Sequence, residues 1–243
     1  MSTMLKETLA GIRGADKVAG AAAQRALDAK TKPRGSLGRL EEIAAHIAAV
    51  RGTPEPGRLT AVVVVAAADH GVAAEGVSAY PAEVTGQMLA NFDAGGAAVS
   101  VLARSAGARV HVVDAGVGAP TGNIAVGPAM SAAETGRWLE EGIRCAGELA
   151  GEGIGIVALG EMGIANSTTA AALAAALLGV DAARVCGRGT GLDDAGLERK
   201  VAVVRAALHA NPVDRNDPLA TLAALGGREL AFLAGVALGA AAD

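Results

Sequence analysis

Leu59-Thr60-Ala61-Val62-Val63-Val64-Val65-Ala66-Ala67-Ala68-Asp69-His70-Gly71 is the stretch whose reading decides the fold. From Leu59 to Ala68 it is apolar, rich in valine and interrupted only by Thr60. A strand has this pattern when both of its faces are buried, as in a parallel sheet covered by helices on either side. Two similar segments follow. Arg109-Val110-His111-Val112-Val113-Asp114 predicts a second strand ending at Gly116, and Ile154-Gly155-Ile156-Val157-Ala158-Leu159 a third ending at Gly160. Helical patterns fill the intervals over Pro81–Phe92, Ala97–Ala106 and Ala132–Gly151, and continue over Thr168–Leu178 and Glu198–Ala210. This alternation predicts an α/β fold, a doubly wound parallel sheet flanked by helices.

Ahead of the first strand, Met1 to about Lys30 reads as one amphipathic helix, with Leu5, Leu9 and Ile12 at helical spacing. The loop Lys32–Gly38 leads into a helix over Arg39–Val50, for which Ser36 is a candidate cap. Pro54, Pro56 and Gly57 mark the next break. Residues 1–57 are therefore expected to form a small helical N-terminal appendage and residues 58–243 the α/β core.

The 243 residues suit one domain of generous size, able to bury a core without staples. Of the chain, 51% is hydrophobic but only 2% aromatic, and there are 34 glycines, so small side chains must let helices pack close to the sheet. With 21 basic against 25 acidic residues, the net charge is -4 and no basic run occurs. This argues against nucleic acid and against a basic membrane-surface patch as partners. The apolar runs Leu59–Ala68, Ala170–Val180 and Leu230–Ala242 are too short to span a bilayer, and no secretory signal is expected at the N-terminus. Cys145 and Cys186 form neither a metal-like pair nor a disulfide framework, and are read as buried thiols in a reducing cytoplasm.

In a doubly wound sheet, ligands bind beyond the carboxyl ends of the strands. That rule points to Asp69-His70-Gly71, Asp114-Ala115-Gly116, Gly160-Glu161-Met162-Gly163 and Gly187-Arg188-Gly189-Thr190-Gly191. After the third strand, Gly160–Gly163 forms a turn and Asn166-Ser167-Thr168 opens an Ala/Leu helix. The first turn of that helix suits a phosphate or carboxylate, or else is an ordinary cap beside an exposed glutamate. The glycines of 187–191 would let a phosphate approach the backbone, with Lys200 adding charge; otherwise this is a surface loop and Lys200 a solvated lysine. The glycine spacing is neither a P-loop nor the full dinucleotide fingerprint, which disfavours a dinucleotide-dependent oxidoreductase. Asp69 and His70 suggest acid–base work, a metal site, or a structural Asp–His pair, the last being the expectation. Tyr80, Met88 and Met162 lie near strand ends and could wall a flat aromatic ligand, or simply join the core. No hydrolase elbow or zincin motif occurs.

Taken together, these segments resemble nicotinate-nucleotide–dimethylbenzimidazole phosphoribosyltransferases, enzymes of cobalamin lower-ligand assembly. The resemblance rests on Lys32-Pro33-Arg34-Gly35-Ser36-Leu37-Gly38-Arg39-Leu40-Glu41, Ala68-Asp69-His70-Gly71-Val72, and Val84-Thr85-Gly86-Gln87-Met88 with Asn91. It rests also on Gly122-Asn123-Ile124-Ala125 with Gly127-Pro128-Ala129-Met130, Gly160-Glu161-Met162-Gly163-Ile164, the 187–191 loop, and Asp217-Pro218 through Gly226-Gly227. These motifs occur in family order over nearly the whole chain.

The resemblance implies transfer of the 5-phosphoribosyl group of nicotinate mononucleotide to 5,6-dimethylbenzimidazole, without metal or cofactor, in a cytoplasmic homodimer. It implies Glu161 as an active-site carboxylate and Gly163, Gly189, Thr190 and Lys200 as nucleotide and phosphate contacts. Tyr80, Met88 and Met162 take positions that wall the benzimidazole. Family chains are expected to continue beyond Asp243, with another strand, helices that close the site and a second glutamate acting as main general base. They also carry a longer loop where this chain has Val117-Gly118-Ala119-Pro120. A non-catalytic relative that binds nucleotide or benzimidazole, or assembles with a complete copy, is the alternative.

Overall fold

A computed structural model describes residues 1–242. The chain begins with α1 (Thr3–Gly11), α2 (Lys17–Asp28) and α3 (Arg39–Arg51), then enters β1 (Thr60–Ala67). Next come α4 (Val84–Asp93), α5 (Ala98–Ala106), β2 (Arg109–Asp114), α6 (Ala132–Gly151) and β3 (Ile154–Met162). It ends with α7 (Asn166–Leu178), α8 (Asp194–Ala210), α9 (Pro218–Leu225) and α10 (Arg228–Ala242).

The three strands make one parallel sheet in the order β2-β1-β3. The valine run is its centre, as its two-sided apolarity requires. From β1 the chain crosses through α4 and α5 to one side, and from β2 it returns through α6 to the other, which gives the doubly wound arrangement. Val64 stands between His111 and Leu159, and Ala66 between Val113 and Glu161. The Val62, Val64 and Ala66 face packs on Cys145, Ala146 and Leu149 of α6 and on Phe232, Leu233 and Val236 of α10.

The scarcity of large side chains has its explanation where α6 crosses α10. A Cβ on Gly142 would lie 2.0 Å from the Phe232 carbonyl oxygen, and one on Gly235 2.0 Å from that of Leu139. The two backbones touch, and only glycine allows it. A second cluster joins Val72, Val77 and Ile124 to Ala171 and Ala172 of α7, Val203 and Val204 of α8, and Leu225 of α9.

Several boundaries differ from expectation. The N-terminal segment is two helices: α1 ends at Gly11, and α2 starts afresh from Asp16, whose carboxylate accepts the Val18 and Ala19 N–H groups. Leu5 of α1 sits in the same core cluster as Val72 and Leu225, while α2 packs along α3. Ser36 does not cap α3, whose N-cap is Gly38 with no side-chain cap. Instead the buried Glu41 carboxylate reaches back to the Leu37 N–H at 3.1 Å and to Lys32 Nζ at 2.7 Å, and the lysine holds it below the usual carboxylate range. The third strand runs on through Gly160 and Glu161 to Met162, paired with Val65, Ala66 and Ala67. Gly160 does not end it, because a glycine inside a paired strand keeps its ladder hydrogen bonds. α7 and α8 each begin earlier than the periodicity suggests, and α4 later. Cys145 is buried and Cys186 only half-buried, both as free thiols. No helix among the described residues is long and apolar enough to cross a membrane.

Candidate active site

The carboxyl ends of β1 and β3 lie side by side, where the winding direction of the sheet reverses. β3 delivers Glu161 there with its side chain exposed. Four residues on, the chain turns through Ala165, a buried alanine with φ of 74°. A left-handed conformation costs a non-glycine residue about 1 kcal/mol or more. It starts α7 with no side-chain cap, so that the helix begins at the strand ends. Asn166, the first residue of α7, donates from Nδ2 to Glu161 Oε2 and fixes the carboxylate's orientation.

The turn is clamped from beneath. Thr85 of α4 is fully buried and its Oγ1 accepts the Ile164 N–H at 3.1 Å. Gly163 lies so close to β1 that a Cβ would be 2.5 Å from the Ala68 carbonyl oxygen and 3.1 Å from His70 Nε2. His70 pairs not with Asp69, as expected, but with Glu229 of α10, Nε2 to Oε1 at 3.1 Å, with both side chains fully buried. Asp69 turns away and accepts the Gly118 N–H at 2.8 Å. The two residues point to opposite sides of the extended chain, as successive residues must.

A cavity of about 240 Å³ opens in front of this turn. It is lined by Val77, Ser78, Glu161, Gly163, Asn166 and Ser167, and across from them by Gly189 and Thr190. Lys200, on α8, is fully buried behind it, and its Nζ donates to Ser167 Oγ at 2.8 Å. Gly189, at φ 53°, passes so near that a Cβ would be 2.9 Å from Ser167 Oγ and 3.2 Å from Lys200 Nζ. Among the described residues no carboxylate lies within ion-pair distance of Lys200. Burial pushes its ammonium below the usual lysine range. A buried cation with no internal counter-ion, behind a hydroxyl and a glycine, favours an anion in the cavity.

Thr190 does not stand free in this wall. Its Oγ1 accepts the Ala79 N–H at 2.9 Å and lies 2.9 Å from Ser78 Oγ. The 187–191 loop is thereby joined to the segment that carries Tyr80.

The structure thus brings Glu161, Gly163, Gly189 and Thr190 onto one cavity, with Lys200 reaching it through Ser167. Tyr80, Met88 and Met162 are not among its lining residues. Tyr80 is 56% exposed on the loop before α4, while Met88 and Met162 are half-buried, on α4 and at the end of β3. A larger hollow of about 550 Å³ lies at α1, α6 and α9 and carries none of these groups. Sequence reasoning missed Ser78 and Glu229, whose partners lie 112 and 159 residues away in the chain and leave no local signal. It read Asn166 and Ser167 as the opening of a helix whose first turn suits a phosphate or carboxylate, but not their side-chain contacts with Glu161 and Lys200. No group of three His, Cys, Asp or Glu side chains placed to hold a metal occurs among the described residues.

Comparison with known proteins adds the family. A family model described as phosphoribosyltransferase matches residues 12–243. The chain is 49% identical to the nicotinate-nucleotide–dimethylbenzimidazole phosphoribosyltransferase of Roseiflexus sp. (strain RS-1), over 99% of this chain and 72% of the relative. It is 47% identical to the protein of that name from Solidesulfovibrio magneticus, over 100% of this chain and 73% of the relative. Among solved structures, CobT from Thermus thermophilus matches with a TM-score of 0.84 and 44% identity, over 91% of this chain and 71% of that one. A sequence match along nearly the whole chain, joined to a fold that matches at a TM-score of 0.84, makes this chain a member of the phosphoribosyltransferase family that those relatives represent.

Proposed function

We propose that this enzyme transfers the 5-phosphoribosyl group of nicotinate mononucleotide to 5,6-dimethylbenzimidazole, giving nicotinate and α-ribazole 5′-phosphate in cobalamin biosynthesis. The observation that carries the reading is Lys200: a buried ammonium with no carboxylate partner among the described residues, held to Ser167 in the wall of the cavity that Glu161 lines. The 5′-phosphate would take hydrogen bonds from Ser167, from Thr190 and from the backbone around Gly189, with the Lys200 charge behind them. Gly163 lets the ribosyl unit approach the strand ends. Tyr80, Met88 and Met162 would wall the benzimidazole.

The chemistry needs little beyond this. One ring nitrogen of the benzimidazole attacks C1′ of the ribose with its lone pair. The bond from C1′ to the pyridinium nitrogen breaks, and its electron pair neutralises the leaving nicotinate ring. The proton on the second benzimidazole nitrogen passes to the Glu161 carboxylate, held in place by Asn166. The same carboxylate stabilises positive charge developing on the sugar. Fixing the phosphate at Lys200 holds C1′ in line with both rings.

The test is release of nicotinate from the mononucleotide, dependent on added dimethylbenzimidazole. Glu161→Gln keeps the hydrogen bond partner of Asn166 but cannot take a proton, and is expected to lower kcat by about 10²–10⁴-fold. Undiminished turnover would move the base elsewhere. No release at all from folded wild-type protein would favour a binding role.

The reading extends to a homodimer in the cytoplasm. Free Cys145 and Cys186 support a reducing compartment. An exposed apolar stripe on α3, formed by Leu40, Ile43 and Val50, supports self-association.

A further inference from the structure

We infer that Ser78 and Thr190 are positioning residues that couple the anion site to the segment bearing Tyr80, so that phosphate and benzimidazole tighten each other's binding. This rests on the phosphate and benzimidazole assignments above.

The Tyr80 N–H donates to Ser78 Oγ at 3.3 Å. Ser78 Oγ and Thr190 Oγ1 are 2.9 Å apart, and either hydroxyl can be the donor. The Ala79 N–H donates to Thr190 Oγ1 at 2.9 Å. Ser78 and Thr190 both line the cavity, and Thr190 follows Gly189, which passes Lys200 Nζ, so in the inferred chain of bonds it is the Thr190 hydroxyl that meets the anion. Without an anion, the Ser78–Thr190 proton has two equivalent directions. An anion in front of Lys200 accepts the Thr190 O–H and removes the choice. Ser78 must then donate to Thr190, and the chain runs one way, from the Tyr80 amide through both hydroxyls to the anion. Hydrogen bonds aligned head to tail polarise and strengthen one another. The turn 78–80 stiffens, and with it the backbone that presents the Tyr80 ring. A benzimidazole held on Tyr80 needs that turn in place, and by linkage it must return the favour to the anion.

The order of events follows: the nucleotide's phosphate prepares the second pocket. It also explains why a tyrosine 56% exposed is placed two residues from a serine that the cavity reaches.

The probes are inorganic phosphate and 5,6-dimethylbenzimidazole, with the full chain, by titration calorimetry. Saturating phosphate is expected to lower the benzimidazole Kd by about fivefold or more, the low end of coupling between sites. Ser78→Ala cuts the chain while leaving Lys200 and Ser167 in place, and is expected to bring that factor close to one. Hydrogen exchange at the Tyr80 amide gives a second readout that needs no benzimidazole: phosphate should slow it in the wild type and leave it unchanged in Ser78→Ala. If phosphate binds but neither the benzimidazole Kd nor the Tyr80 exchange responds, the coupling is wrong and the anion site stands. If Tyr80 exchange slows but benzimidazole never binds, the hydroxyl chain stands and the benzimidazole assignment falls, taking the mutual tightening with it. If phosphate does not bind at all, the anion site itself is wrong and the coupling fails with it.

Discussion

Lys200 shows how a single residue can be fitted to its ligand at the expense of the empty protein. Its ammonium is fully buried, held by one hydroxyl and by no carboxylate among the described residues. Burial depresses its affinity for the proton. The unfolded chain therefore binds that proton more tightly than the folded one. The contribution to stability is smallest where Lys200 is charged, and rises with pH as the folded lysine deprotonates, up to the ordinary lysine range. Lys200→Met keeps the length of the side chain and removes the charge. We expect it to stabilise the unliganded protein by about 1–3 kcal/mol, raising Tm by roughly 2–4 °C per kcal/mol. The same variant should lose the rise in Tm that phosphate gives the wild type by binding the folded state alone. A drop in unliganded Tm, or phosphate stabilisation that survives, would show that the lysine supports the fold rather than an anion. The sequence offered Lys200 as a charge behind the 187–191 glycines, but not its burial or its want of a counter-ion, because a lysine on a helix with polar neighbours otherwise reads as solvated. Glu161 was legible in position but not in setting. Its place at the end of a strand-like run was plain, whereas its continuation of the β3 ladder depended on pairing with Ala66.

At the scale of elements, the strands were the most legible part. Unbroken valine runs have one physical explanation at this length, and β2 matches its predicted bounds residue for residue. The helices were read by period, and they failed where period carries no information. The break between α1 and α2 falls in Ile12–Asp16, where only Gly14 and the capping Asp16 announce it. The contact between α6 and α10 is likewise a matter of partners. Gly142 and Gly235 look like any helical glycine, yet each faces backbone atoms of the other helix. Adding one methyl group at Gly235 forces the helices apart along the sheet face that carries Val62 and Val64. Gly235→Ala is expected to cost about 2–3 kcal/mol, a fall in Tm of roughly 4–12 °C. Because α10 also carries Glu229, the His70 pair beneath the site turn should shift with it, so turnover should fall at temperatures where the protein is still folded. Thermal unfolding followed by circular dichroism, beside activity at fixed temperature, separates the two effects. A Tm unchanged within about 1 °C, well below the shift that such a cost implies, would mean that the helices separate without cost, against the packing described above.

On the whole molecule, the proposed homodimer needs a surface that two copies can share. α3 places Leu40, Ile43, Ile47 and Val50 along one face, about 15 Å from first to last, with Leu37 just before the helix. Leu40 is 65% exposed and Val50 62%. Their opposite side is occupied, since the buried Glu41 and Ala48 turn toward α2 and the Lys32 loop. An apolar stripe left open on a helix that is already packed on its other side is available to a further surface. Isolated exposed leucines need no explanation, but a continuous row does. If the row is the homodimer contact, light scattering should give a mass that rises with concentration from 23.7 kDa toward twice that value. Leu40→Glu with Ile43→Glu puts like charges across a two-fold contact, where each copy meets itself, and should hold the mass at that of one chain. Far-UV circular dichroism should not change, because neither side chain is buried in the protomer. A wild type that stays at 23.7 kDa throughout, or a double variant that still dimerises, removes this face from the interface and leaves the stripe to some other partner.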